Sequence, residues 1–377
     1  MSVPFLPLFL FDLGVDDRSV NVWAGVVHST AFFVGAVMAP IWGSVADKYG
    51  RKKMVIRAGI CLAVIYALIA FVRNPVELVI VRVLHGLAGG FVPASMSIVA
   101  GAAPKEKLGW SLGVMQAGTM SGGILGPLIG GLLSTWFGYR MSFIVAGAII
   151  FIASAAVIFF VHEGGEPEQI KRESSMRAGF AAVAKNKSLA MLLLLLLLFQ
   201  MSYNMFQPFL SLHIANLTGS VENASFVSGF IFALIGIAGI IASPLWGKAG
   251  ERRGRRQILA VCLAGSGVVV ASQLFIYDLW LFTVVQFAFG LFMAGIVPTV
   301  NTLMVNSTPA EFRGRSFGLT ASANQFGATV GPLFGGALGA FLSLHWIFAV
   351  CGFILLGLGI AVWTRLSDAS RSEAQTR

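Results

Sequence analysis

Residues 40–53 read PIWGSVADKYGRKK, and residues 244–257 read PLWGKAGERRGRRQ. At an offset of 204, Pro40, Trp42, Gly43, Gly50 and Arg51 recur as Pro244, Trp246, Gly247, Gly254 and Arg255, and Asp47 becomes Glu251. Further along, GGILGPLIGG (122–131) matches FGATVGPLFGG (326–336), with Gly126 and Pro127 on Gly331 and Pro332 at offset 205. Between them Gly86 falls on Gly290. Two motifs in the same order at the same spacing mark a duplicated chain, and the repeat has to be explained before the parts.

Composition says where the repeat lives. The chain has 377 residues, 57% of them hydrophobic and 11% charged, with a mean hydropathy of +0.84. A soluble domain carries about 25% charged residues. Long apolar segments separated by short charged loops indicate a polytopic helical membrane protein, because in lipid only helices and closed barrels satisfy their own backbone. A barrel would show alternating segments of about ten residues, and none is present. Eleven complete spans are expected, at roughly 20–44, 54–72, 76–100, 109–134, 139–161, 188–213, 224–248, 257–276, 280–305, 315–340 and 343–365. The sequence therefore divides into an N-terminal bundle (1–161), a polar linker (162–187), a C-terminal bundle (188–365) and a tail (366–377).

The net charge of +10 is not a nucleic-acid surface. Lys48, Arg51, Lys52, Lys53, the linker cations, the Lys248–Arg256 cluster, Arg313, Arg315 and the tail all fall in one set of alternate loops. The opposite loops hold only Arg18, Arg73 and Arg140. By the positive-inside rule the linker and the C-terminus are cytoplasmic. Cys61, Cys262 and Cys351 lie inside apolar segments and read as small core residues. No phosphate loop or metal-spaced Cys/His set appears, so no cofactor is expected and the chain is not read as an enzyme.

Each repeat holds an even number of helices, so both run in the same direction. Such parallel halves place a substrate site between them at mid-membrane. The first residues, VPFLPLFLFDLG (3–14), match QPFLSLHIANLTG (207–219) at the same offset. That stub offers about 15 Å of helix against a core of about 30 Å. It is expected to be the last half of a first transmembrane helix.

These residues also carry a family resemblance. GSVADKYGRKKMV (43–55) resembles the loop 2–3 signature of the major facilitator superfamily, LVIVRVLHGLAGG (78–90) its fourth-helix arginine motif, and GGILGPLIGG the fifth-helix motif of its drug:proton antiporter branch. The resemblance covers essentially the whole chain. It implies a two-bundle transporter in the bacterial inner membrane, acting as a monomer on a small-molecule substrate and protons. Proton-coupled efflux of lipophilic drugs or toxic amphiphiles is the expected function. A transporter of one specific metabolite and a degenerate, non-transporting membrane protein remain as alternatives.

Candidate residues follow from the motifs. For gating they are Gly43, Asp47, Gly50, Arg51 and Lys52, with Gly247, Glu251 and Arg255 in the second half. Gly43 would let two helices approach, Gly50 would permit the tight turn, and Asp47 among cations could form a charge-assisted network that breaks between states. For coupling they are Arg82, inside a span where a charge is costly, His85 one turn on, and His28. None of the sixteen acidic residues sits at the centre of a complete span. Gly122, Gly126, Pro127 and Gly130, matched by Gly331, Pro332 and Gly335, form small-residue faces for close helix packing, which the family resemblance places at the interface of the halves. Gln116, Thr119, Gln200, Tyr203, Asn204, Gln207, Asn324 and Gln325 are the candidate cavity-lining polar residues. Gln200, Tyr203, Asn204 and Gln207 share one helical face.

Overall fold

The structure, a computed structural model, describes residues 3–103, 107–161, 187–306 and 313–365. The linker and tail therefore lie outside the described residues, save Val161 and Lys187 at the linker's margins. The described chain is helical: α1 (Leu6–Asp12), α2 (Val20–Tyr49), α3 (Arg51–Ile69), α4 (Pro75–Leu87), α5 (Phe91–Ala102), α6 (Leu108–Phe160), α7 (Lys187–Phe206), α8 (Leu210–Thr218), α9 (Val221–Arg253), α10 (Arg255–Ser272), α11 (Leu279–Met293), α12 (Ile296–Asn306), α13 (Arg313–Phe341) and α14 (Leu344–Arg365). Every expected span coincides with one of these helices or a consecutive pair. The spans at 109–134 and 139–161 run on as α6, which is broken where Gly138 leaves helical geometry at φ 77°.

Seven segments among the described residues are long and apolar enough to cross a bilayer by length and composition alone. The other expected spans have visible reasons to fall short. Helices α4 and α5 are separate 13- and 12-residue pieces, parted at Gly90, which adopts φ +104°. Helix α3 carries Arg51, Lys52, Lys53 and Arg57 in its first two turns.

Large aromatic side chains stand exposed on the described surface. Trp110, Trp136, Tyr277, Trp280, Trp346 and Trp363 are among them. Tryptophan and tyrosine concentrate at the two membrane–water interfaces. Phe33, Phe71, Phe151, Val284 and Phe353 are exposed as well, which suits acyl chains and would be a liability in water.

By contact, the chain forms two compact units. The first comprises Met1–Lys171 with Leu210–Ala233, the second Arg172–Phe209 with Leu234–Arg377. Segment 210–233, from the second sequence half, thus packs with the first half.

The duplication is legible inside the units as repeated side-chain contacts. Trp42 donates its indole N–H to the Leu87 carbonyl at 2.8 Å, and Trp246 to the Leu291 carbonyl at 2.7 Å. Lys52 Nζ caps the Ile158 carbonyl at 3.0 Å, and Arg256 Nε the Val362 carbonyl at 3.2 Å. Asn74 and Asp278 are the matching N-caps of α4 and α11. Even the amino-terminal stub obeys the offset. A 3-10 turn at Val3–Phe5 leads into α1, as the turn at Gln207–Phe209 leads into α8.

Candidate functional site

The turn between α2 and α3 is made by Gly50, at φ +98° and ψ 140°, and its repeat partner Gly254 has φ +95°. Few residues other than glycine hold that backbone. The turn reverses the chain without an intervening loop, so Arg51 and Lys52 start the next helix. Arg51 Nη1 donates to the Ser97 carbonyl at 3.0 Å, which ties α3 to the middle of α5. Lys52, at the Ile158 carbonyl, satisfies one of the otherwise orphaned carbonyls in the last turn of α6. Glu251 is exposed and Arg255 half-buried on the matching turn. The Asp47 side chain lies outside what the structure describes. One expectation needs correcting: a Cβ on Gly43 or on Gly247 would meet nothing within 4 Å. Neither glycine is therefore at a close helix approach.

The glycine faces behave differently in the two repeats. On α13, a Cβ at Gly327 would stand 2.7 Å from the Leu197 carbonyl, at Gly331 2.4 Å from that of Met201, and at Gly335 2.1 Å from that of Met205. This is backbone-to-backbone contact along just over two turns, and it packs α13 on α7 inside the second unit. On α6, Gly122 meets nothing within 4 Å, so it supports no close packing here. The contact begins further along. A Cβ on Gly131 would lie 2.7 Å from the Ser225 carbonyl, and one on Gly229 would lie 2.5 Å from that of Pro127. Gly126, Pro127 and Gly130 are buried beside it. Pro332 is buried on α13.

Two residues that the sequence did not single out lock this α6–α9 seam. Tyr139 Oη and Ser225 Oγ share a hydrogen bond at 2.7 Å, and both are buried. Close by in the same unit, Ser211 Oγ donates to the Pro4 carbonyl at 2.9 Å, joining α8 to the residues before α1. The only sequence signal for Tyr139 was its place just after Gly138.

Arg82 and the two histidines do come together. Arg82 is 2% exposed, and its Nε donates to the Val27 carbonyl of α2 at 3.1 Å. His28, the next residue on α2, and His85, one turn along α4, both lie within electrostatic reach of the guanidinium. Tyr66 of α3 completes the group: it neighbours Arg82 and sets its ring 5.7 Å from that of His85. Tyr66 was missed because an isolated tyrosine in an apolar helix carries no periodic signal. The cluster sits where α2 and α4 are pressed together, since a Cβ on Gly86 would fall 2.8 Å from the Ala31 carbonyl.

The expected polar face of α7 is divided. Tyr203 stacks between Phe199 and Phe289, with ring centroids 6.4 Å from each. Asn204 turns back on its own helix and donates to the Gln200 carbonyl at 2.8 Å. Gln200 lies against Gly327 of α13, and Gln207 opens the 3-10 turn that follows. Asn324 keeps a buried Oδ1 without a partner. Gln325 is half-buried, and Gln116 and Thr119 are exposed on α6.

Comparison with known proteins agrees with this architecture. The model of the Major Facilitator Superfamily matches residues 1–241 and 192–377. The multidrug resistance protein MdtG of Salmonella dublin is 33% identical over 367 residues, which is 97% of this chain and 91% of that protein. The MdtG of Salmonella arizonae matches to the same extent. Among solved structures, the nucleoside transporter NupG superposes with a TM-score of 0.78 at 15% identity, covering 96% of this chain and 93% of that one. A bacterial homologue of the human lysosomal transporter Spinster, in an inward-facing and occupied conformation, superposes with a TM-score of 0.75 at 15% identity, over 100% and 93% of the two chains. A duplicated helical frame, a glycine turn before a cationic helix start and a match along the whole length lead to one conclusion: this chain is a multi-pass membrane transporter that belongs to the major facilitator superfamily.

Proposed function

We propose that this transporter exports lipophilic drugs or toxic amphiphiles by alternating access, driven by protons. The observation that carries the reading is the identity of 33% with multidrug resistance proteins over 97% of the chain. In this reading the chain sits in a bacterial inner membrane as a monomer, with the linker and C-terminus cytoplasmic. Segments 1–161 and 188–365 are the two bundles that move.

The residues take distinct parts. The α2–α3 turn, with Asp47, Arg51 and Lys52, gates the cytoplasmic side, and Gly247, Glu251 and Arg255 are its counterpart. The α6–α9 seam gates the other side. Gly131 and Gly229 bring the two backbones into contact there, and Tyr139 with Ser225 holds them by one buried hydrogen bond. Such a bond contributes about 1 kcal/mol, weak enough to be broken in each cycle. His28, Arg82 and His85 serve coupling. Gln116, Thr119, Asn324 and Gln325 contribute polar groups to the substrate path.

Expression in a strain lacking its own drug exporters tests the function. A raised tolerance to several unrelated lipophilic compounds is expected, with dye efflux that stops when a protonophore collapses the gradient. Susceptibility and efflux that both stay at vector level, with normal membrane abundance, would sink the exporter reading.

A further inference from the structure

The Arg82 cluster is short of acceptors. The guanidinium is buried, and its Nη1 has no hydrogen-bond partner. His85 Nδ1 is buried and unpartnered as well. The groups that face Arg82 are the Val27 carbonyl and His28 from α2, Tyr66 from α3 and His85 from α4 itself. Among the described residues no carboxylate pairs with it. Glu77, on the same helix, is turned to the exposed Arg73 backbone N–H and the Asn74 amide at the helix start. Asp47 is twenty residues beyond Val27 on α2, about 30 Å of helix rise away.

A guanidinium inside a membrane-embedded bundle is costly unless an opposite charge meets it. The repeat shows that packing alone does not require the charge. The partner of Arg82 at offset 204 is Gln286, also fully buried, and it donates to the Gln273 side chain at 3.4 Å. His28, Tyr66 and His85 correspond to Phe232, Val270 and Phe289. One repeat thus fills this place with an amide and apolar groups. The other fills it with a fixed cation, two imidazoles and a phenol, all able to donate hydrogen bonds.

We propose that the cluster of His28, Tyr66, Arg82 and His85 binds a small anionic group, with Arg82 Nη1 and His85 Nδ1 as its free donors. The group is either the carboxylate or phosphonate head of an amphiphilic substrate or a free halide, and both present the same charge-assisted acceptor to the guanidinium. The inference does not rest on the export reading, because binding is measured on the purified protein.

The test is thermal unfolding of the full chain in a neutral detergent, followed by tryptophan fluorescence. Ionic strength is held constant with a bulky disulfonate buffer while chloride, acetate, benzoate or methylphosphonate replaces it. A saturable rise of a few degrees in unfolding temperature is expected for wild type, retained in part by Arg82→Lys and lost in Arg82→Gln. A response to chloride alone identifies a free ion, and a stronger response to benzoate or methylphosphonate identifies a substrate head group. A wild type insensitive to all four anions overturns the proposal, as does the same saturable rise in Arg82→Gln. Should Arg82→Gln yield no folded protein, His85→Phe takes its place. A half-saturating concentration at least tenfold higher is expected, and an unchanged one overturns the site.

Discussion

The two repeats share a frame and differ in what they put into it. Trp42 and Trp246, Lys52 and Arg256, Gly50 and Gly254 make matching contacts at one offset. Gly147 and Gly352 likewise press on α3 and on α10 at matching residues, Ala63 with Ala67 and Gly267 with Ala271. The chemistry was not kept. The first repeat buries Arg82 with His28, Tyr66 and His85. The second buries Gln286 beside a set of rings, with Phe206 5.4 Å from Phe289 and 5.8 Å from Phe348. Duplication thus supplied two equal scaffolds, and at the place of Arg82 and Gln286 the first buries a charge and the second an amide.

The largest expected effect separates the two glycine turns. Asp47→Asn should abolish efflux while membrane abundance stays normal, and Glu251→Gln should retain most of it. Measuring dye efflux and immunoblotting the membrane fraction together decides this. Normal transport by Asp47→Asn removes that residue from the mechanism and makes the two turns equivalent.

Next in size is the contrast between the glycine faces. Gly327 and Gly122 are partners at offset 205, yet a Cβ on the first would stand 2.7 Å from the Leu197 carbonyl and one on the second would touch nothing. Gly327→Ala should destabilise the protein by about 1–3 kcal/mol through overpacking. Gly122→Ala should be neutral or stabilising by up to about 1 kcal/mol, because alanine favours helix. Thermal unfolding in detergent reads both. Equal losses would mean that α6 is as tightly packed as α13.

The smallest effect concerns a part of the frame that has not diverged. Asn74 Oδ1 accepts the Glu77 N–H at 2.9 Å, and Asp278 Oδ1 accepts the Leu281 N–H at 2.8 Å. Replacing either cap with alanine should cost about 1 kcal/mol. Unfolding temperatures lowered by similar amounts would confirm that the caps are equivalent.

Hydropathy, the position of the cations and the repeat are local or linear properties, and from them the helical membrane class, the family and most helix positions could be read. Gly50 and Gly254 were legible for the same reason: a turn with no loop, just before a cationic helix start, needs a residue that tolerates positive φ. Side-chain partners were less legible. The α7 stripe read as a cavity face, yet Tyr203 lies among phenylalanines and Asn204 bonds to its own helix. Helical periodicity shows which residues share a face, and it is silent about what packs there. Gly43 and Gly122 have no neighbour within 4 Å for an added Cβ, since a glycine permits an approach that only the neighbouring helix can make.

By itself, then, the sequence determined that two copies of one helical unit lie in a membrane, because burial in lipid and charge asymmetry act on each segment where it stands. Only the tertiary structure brought His28, Tyr66 and Arg82 together from three helices, and joined Tyr139 to Ser225 across 86 residues. Those meetings depend on how helices rotate and cross. That is settled by the fit of whole surfaces, which no single segment encodes.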